Sequence, residues 1–106
     1  AAELGIATRA VPADRVLEEA MVIARDIVTN VAPVSAALAK KLMWAGLNSS
    51  VDEMLALESS LLPGLAAMPD AGEGVRAFFE RRTPQWQGRV SADLPEVSLG
   101  SDKGDR

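Results

Sequence analysis

The sequence contains no cysteine and no histidine, and these two absences exclude several kinds of site. Without cysteine there is neither a disulfide framework nor a thiolate zinc site, and without histidine a transition metal would have only carboxylates as ligands. The hydroxyls of Ser35, Ser59 and Ser60 have no imidazole to activate them, which excludes a hydrolytic triad. We therefore predict neither a catalytic triad nor a metal site in this chain.

Positive charge and long apolar runs are also scarce. The 11 Lys and Arg against 15 Asp and Glu leave a net charge of -4, which argues against a nucleic-acid partner because phosphate binding needs a concentrated basic surface. The longest apolar stretches, such as residues 61–68, fall far short of the roughly 20 residues that cross a bilayer. Because the N-terminus also lacks the pattern of a signal peptide, we expect a cytoplasmic protein without a membrane partner.

Apolar residues recur at helical spacing in four segments, which predicts an all-α bundle of about four amphipathic helices. The first covers about residues 14–30, and Pro33 both interrupts it and suits the first turn of the second. The residues expected to face inward are Val16, Ala20, Ile23, Ile27 and Val31 on the first helix, Val34, Leu38, Leu42 and Ala45 on the second, Met54, Leu55, Leu61, Leu62 and Leu65 on the third, and Val75, Phe78 and Phe79 on the fourth.

Two capping patterns mark where the later helices begin. Ser50 and Glu53 have the spacing of a capping box at the start of the third helix, and Asp70 and Glu73 repeat that spacing before the fourth, which should end near residue 82. We expect residues 63–64, a Pro-Gly pair, to kink or loosen the last turn of the third helix. Glu58 lies among apolar positions, and we interpret it as a structural carboxylate with a partner rather than as a general base.

Two stretches of the sequence resemble the enoyl-CoA hydratase/isomerase (crotonase) family. Residues 70–84 match the pattern D-x-x-E-G-x-x-A-F-x-E-K-R-x-P of that family's C-terminal region, with Arg81 in place of Lys. Residues 5–12 resemble its G-L-V-n-r-V-V-P strand. The chain also opens without an initiator Met, so we expect it to be a C-terminal piece of a longer enzyme.

The resemblance implies a division of the chain and a function for each part. Residues 1–12 would be a short extended remnant of a strand or linker from a spiral core, residues 13–86 a helical domain for oligomerisation and capping of the CoA site, and residues 87–106 a polar tail. The parent enzyme would hydrate or isomerise enoyl-CoA thioesters in fatty-acid or related metabolism, as a trimer or hexamer without a tightly bound cofactor. In that family catalysis depends on the preceding spiral domain, so we expect no catalytic residue in this chain and no activity from it alone.

The same resemblance assigns two binding residues. The family's Phe and Lys in this motif reach the CoA nucleotide, which implies that Phe78 and Arg81 bind CoA here. Arginine keeps the charge of lysine but changes the geometry of a phosphate contact. A purely structural interpretation stays open, in which Phe78 is a core residue and Arg81 complements the C-terminus of its helix.

A second function is compatible with the sequence. Four helices with apolar faces would also suit a stand-alone interaction or oligomerisation module that binds no ligand and has no catalytic activity. Either function predicts self-association. The mass of the gene product would separate them, because a much longer parent favours the enzyme.

Overall fold

Five α-helices joined by short turns build residues 1–97, the part of the chain that the computed structural model describes. The helices are α1 (Val16–Asn30), α2 (Pro33–Gly46), α3 (Val51–Ala66), α4 (Pro69–Glu80) and the short α5 (Val90–Asp93), and a 3₁₀ turn at Ala13–Arg15 precedes α1. No strand occurs in these 97 residues, and four of the helices are long, so the predicted all-α class is confirmed. Residues 98–106 of the predicted polar tail lie outside the described residues.

The N-terminal residues differ from the expected extended segment. Residues 2–8 form turns and bends, in which the amides of Gly5 and Ile6 donate to the carbonyls of Ala2 and Ala1 at 3.0 and 3.1 Å. Gly5 has a φ of +71°, a conformation that glycine adopts without steric cost and that closes the turn. With no neighbouring strand among residues 1–97, this segment makes local hydrogen bonds in place of strand pairing.

Proline separates the first two long helices as predicted. Pro33 is the first residue of α2, where its missing amide hydrogen costs no hydrogen bond. α1 and α2 are bent by 116° relative to a continuous helix at this break. Within residues 1–97 no single helix is long and apolar enough to span a membrane, and α1 with α2 reaches that length and composition only as a bent pair.

The start of α3 is the predicted capping box. The Glu53 amide donates to Ser50 Oγ at 3.3 Å, and the Ser50 amide donates to Glu53 Oε2 at 2.8 Å. These bonds, first the one from the Ser50 backbone and then the one from its hydroxyl, lower the pKa of the Glu53 carboxyl. At the other end α3 continues to Ala66 through Pro63, so the expected weak point does not end the helix.

The core is centred on α2, which packs against α3 and α5. Val34 and Leu38 are each 1% exposed, as their predicted inward position requires. Several other predicted core residues are half-buried, namely Ile23, Leu42, Ala45, Met54, Leu61 and Leu65. Others are exposed to solvent, namely Val16, Ala20, Ile27, Val31, Leu55 and Leu62. The radius of gyration of 17.5 Å, against about 13 Å for a compact domain of this length, reflects this incomplete packing.

The inward face of α4 is opposite to the predicted one. Phe78 and Phe79 are 79% and 77% exposed, and Val75 is also exposed, so the prediction that they face inward is wrong. The buried face of α4 instead carries Asp70 and Glu73, followed one turn later by the small residue Ala77. Two carboxylates can occupy this face because backbone amides from a later part of the chain bind them.

Candidate functional site

After α4 the chain folds back along that helix in a stretch that we call the return segment, residues 83–88. Asp70 Oδ1 accepts a hydrogen bond from the Gln87 amide at 2.7 Å, and Asp70 Oδ2 accepts one from the Gly88 amide at 3.0 Å. Glu73 Oε1 accepts a third from the Gln85 amide at 2.8 Å. The two carboxylates therefore hold three backbone amides of the return segment while being only 5% and 7% exposed themselves.

This arrangement corrects the second capping prediction. α4 begins at Pro69, its N-cap residue is Met68, and no side chain caps it. Asp70 and Glu73 lie inside the first turns of the helix, where their spacing of three places both carboxylates on one face. The return segment has no strand to pair with in residues 1–97, so its amides bind these carboxylates.

Arg82 also donates hydrogen bonds to Glu73. Its Nη1 and Nη2 donate to the two oxygens of Glu73 at 2.5 and 3.1 Å, and its Nε donates to Glu80 at 2.5 Å. Arg76 adds a weaker contact to Glu73 at 3.3 Å. The bonds from Arg82, and after them the bond from the Gln85 amide, lower the pKa of the Glu73 carboxyl to about 2, whereas Glu73 and then Glu80 raise the pKa of Arg82.

Trp86 connects the return segment to a second helix through a hydrogen bond. Its indole Nε1 donates to the Thr29 carbonyl at the end of α1 at 3.0 Å, a contact between residues 57 positions apart. Its ring lies against α4 where that helix has a glycine, since a methyl group placed on Gly74 would sit 3.5 Å from the ring. The return segment thus joins α1 to α4.

The turn that ends α4 places Arg81 in an unusual backbone conformation. Arg81 has φ 53° and ψ 43°, the left-handed region that non-glycine residues seldom adopt. Its amide donates to the Phe78 carbonyl at 3.3 Å, and the amide of Arg82 donates to the Ala77 carbonyl at 3.1 Å. This is the bonding pattern of a Schellman motif, in which the left-handed position is usually glycine.

Phe78 and Arg81, the two residues that the family resemblance assigns to CoA, line one open cleft of about 760 Å³. The rings of Phe78 and Phe79 meet edge to face with their centroids 5.7 Å apart. Among residues 1–97, Arg81 has no carboxylate within 4 Å. The full set of lining residues is Asn30, Gly74, Ala77, Phe78, Phe79, Arg81, Arg82, Pro84 and Trp86.

Sequence reasoning missed the contribution of Trp86 and Asn30 to this cleft. Trp86 is one of only two tryptophans and follows a proline by two residues. A large aromatic side chain with an N–H to satisfy, placed just after a helix, is the signal that could have indicated a contact between this segment and the helices. Asn30 gives no comparable signal, because it reaches the cleft only through the bend between α1 and α2. The arrangement offers exposed aromatic faces beside an uncompensated guanidinium, a combination suited to an anionic ligand with a flat ring.

The interpretation of Glu58 as a paired carboxylate is wrong. Glu58 is exposed on α3, and the described residues give it neither an ion pair nor a hydrogen bond. It borders the groove between α2 and α3, where Leu42 and Leu62 are neighbours in the lining. Solvent satisfies this carboxylate, so it needs no protein partner.

Gly88 is expected to be intolerant of a side chain. A methyl group at this position would lie 2.8 Å from Asp70 Oδ2 and 3.1 Å from Val34 Cγ2, so Gly88→Ala should lower the free energy of unfolding by about 1–3 kcal/mol. Gly64→Ala is the matched control, since nothing lies within 4 Å of the added methyl and alanine favours the helix by roughly 0.5–1 kcal/mol. Urea denaturation of both variants checks this, and equal stability of the two would contradict the packing described.

The low pKa of Glu73 predicts how stability depends on pH. A carboxyl with a lower pKa in the folded than in the unfolded chain stabilises the fold above its ordinary pKa of 4.5, and this contribution is lost as the pH falls toward about 2. The free energy of unfolding should therefore decrease over that range, and Glu73→Gln should make the decrease shallower. Glu58→Gln, at an exposed position, serves as the control. A Glu73→Gln profile parallel to that of the parent chain would refute the prediction.

Comparison with known proteins identifies the family. The enoyl-CoA hydratase/isomerase family model matches residues 1–89, which include the cleft and the return segment. A probable enoyl-CoA hydratase of Mycobacterium tuberculosis is 36% identical over 85 residues, which are 80% of this chain and 33% of that protein. A carnitinyl-CoA dehydratase of Proteus mirabilis is 36% identical over 89 residues, covering 80% of this chain and 34% of the relative.

A solved structure is also similar to this chain. The probable enoyl-CoA hydratase/isomerase from Mycobacterium abscessus is 44% identical, with a TM-score of 0.77 over 83% of this chain and 35% of the other. The chain thus spans about a third of the length of the relatives that it matches. Sequence and fold agree over most of its length, and the chain belongs to the enoyl-CoA hydratase/isomerase family.

Proposed function

We propose that this chain is the C-terminal helical region of an acyl-CoA enzyme, in which it caps the CoA site and contributes to subunit contacts. The enzyme would hydrate or isomerise enoyl-CoA thioesters in fatty-acid or related metabolism. Family membership supports the substrate class, and the cleft that holds both Phe78 and Arg81 is the observation that carries the binding role.

The chemistry of the cleft suits the nucleotide end of CoA. An exposed phenyl ring offers a flat apolar surface on which adenine can stack, and Phe78 is held in that exposed position on α4. A guanidinium can bind a phosphate through two parallel hydrogen bonds, and no carboxylate of residues 1–97 competes for Arg81. Both contacts act on the ligand without taking part in bond making, so in this proposal the chain supplies binding groups and no catalytic residue.

The exposed apolar residues support the role in subunit contacts. Val75, Phe78 and Phe79 form an uncovered face on α4, and Leu17 and Val28 are similarly exposed on α1. Soluble proteins seldom leave apolar patches of this kind open to water, and contact with other subunits would cover them. A homo-oligomer, a trimer or hexamer in the parent enzyme, is the assembly that we propose, with a cytoplasmic location and no tightly bound cofactor.

The same exposed faces also favour the second function, a stand-alone helical interaction module. That function requires association but no affinity for CoA. The exposed Phe78 and Arg81 would then serve only the contact with a partner. CoA binding that depends on Phe78 and Arg81 would therefore favour the enzyme over the module.

The direct test is calorimetric titration of the full chain with CoA at millimolar concentration. Phe78→Ala and Arg81→Gly should each weaken binding by about tenfold, the value of one stacking contact or one charged hydrogen bond. Glycine is chosen at position 81 because it keeps the left-handed turn while removing the guanidinium. Arg81→Lys should retain most of the affinity.

Two further variants serve as controls for this titration. Lys40→Ala removes a basic side chain that does not line the cleft, and it should leave the affinity unchanged. Phe79→Ala removes the partner ring at equal exposure and tests whether stacking is specific to Phe78. CoA binding that is insensitive to both Phe78→Ala and Arg81→Gly would reject the binding role proposed for this cleft and favour the interaction module.

A further inference from the structure

The adjacent residues Arg81 and Arg82 carry the same charged group, but the fold gives them different surroundings. All three side-chain nitrogens of Arg82 are engaged: Nη1 and Nη2 on Glu73 and Nε on Glu80. Nη1 also donates to the Thr83 carbonyl at 3.2 Å. Within residues 1–97 Arg81 has no such partner. Only one of the two guanidinium groups is therefore available to an anion entering the cleft.

The backbone at Arg81 is held from both sides. On its N-terminal side, the carbonyls of Ala77 and Phe78 accept the amides of residues 82 and 81 and so close the turn. On its C-terminal side, the single carboxylate of Glu73 binds both the Arg82 side chain and the Gln85 amide. A left-handed conformation is unfavourable for a non-glycine residue, and it persists only where the surrounding contacts impose it.

Glu73 binds the residues that follow this turn without facing the cleft. It lies on the buried face of α4 and is not among the residues that line the cleft. We propose that Glu73 is a positioning residue for anion binding, which by engaging Arg82 and the return segment holds Arg81 in the turn from which it meets the phosphates of the ligand. This inference rests on the proposed function, since the ligand in question is the CoA nucleotide.

Electrostatics alone and a positioning role predict opposite changes in CoA affinity when Glu73 is removed. Loss of a carboxylate near the cleft should tighten the binding of an anion, and it would also release Arg82 as a second cation. A positioning role instead predicts that Glu73→Gln weakens CoA binding, by about five- to tenfold, since coupling between groups in contact is typically of that order. The sign of the change in CoA affinity distinguishes the positioning role from the electrostatic effect.

The experiment is a double-mutant cycle on the full chain, with CoA affinity measured by calorimetry. Glu73→Gln and Arg81→Gly should each weaken binding, and the double variant should bind no more weakly than Arg81→Gly alone, because Glu73 acts through Arg81. A general loss of structure would instead give additive losses. Circular dichroism of each variant verifies that the helices are retained.

Glu80→Gln is the matched control. It removes the same charge from the same arginine, but Glu80 is exposed and holds no part of the return segment, so CoA affinity should stay the same or rise. Arg82→Lys is the second variant, used if Glu73→Gln fails to fold, because lysine keeps the charge but cannot make the bidentate contact with Glu73. It should weaken CoA binding as Glu73→Gln does.

The outcomes separate failure of this inference from failure of the proposed function. If Arg81→Gly weakens CoA binding while Glu73→Gln leaves it equal or tighter, Glu73 does not position Arg81 and the proposed function stands. Additive losses in the double variant would overturn the inference in the same way. If neither Arg81→Gly nor Phe78→Ala alters binding, the proposed function itself is wrong, and the positioning role falls with it.

Discussion

Hydrogen bonds from backbone amides to two buried carboxylates are the constraint on which this structure depends. A buried carboxylate is costly unless donors surround it, and a chain segment outside helices and strands leaves amide donors to satisfy. Asp70 and Glu73 meet both requirements at once by binding the amides of Gln85, Gln87 and Gly88. Among the described residues, no buried side-chain nitrogen or oxygen lacks a partner.

The orientation of α4 follows from these bonds. With both carboxylates facing the return segment, the aromatic residues on the other side of the helix must face solvent, and Phe78 and Phe79 do so. The same bonds set where the turn at Arg81 lies and bring Trp86 against α4 and the end of α1. The cleft is therefore a consequence of polar contacts on one side of a helix that leave apolar and cationic groups on the other.

Local signals in the sequence were sufficient for much of the fold. The four long helices, the proline that begins α2, the Ser50 capping box and the burial of Val34 and Leu38 all follow from spacing and capping over a few residues. The orientation of α4 could not be predicted this way, because hydrophobic periodicity treats Phe as an inward residue and Asp as an outward one. The amides that reverse this preference come from 12 to 18 residues further along the chain.

The candidate site shows the same division between local and distant information. Its two assigned residues came from the family motif, which placed Phe78 and Arg81 near each other, whereas periodicity would have put Phe78 in the core. The difference between Arg81 and Arg82 could not be read from the sequence, since it depends on a carboxylate nine residues away and on a left-handed turn without glycine. The bond from Trp86 to Thr29 is more distant still.

Amide hydrogen exchange at the return segment tests this account most directly. If the carboxylates of α4 hold this segment, the amides of Gln85, Gln87 and Gly88 should exchange as slowly as those in the middle of α4, although they belong to no helix or strand. Asp70→Asn should speed exchange at Gln87 and Gly88 while sparing Gln85, which binds Glu73. Exchange of all three amides in the parent chain at the rate of an unstructured peptide would contradict the account.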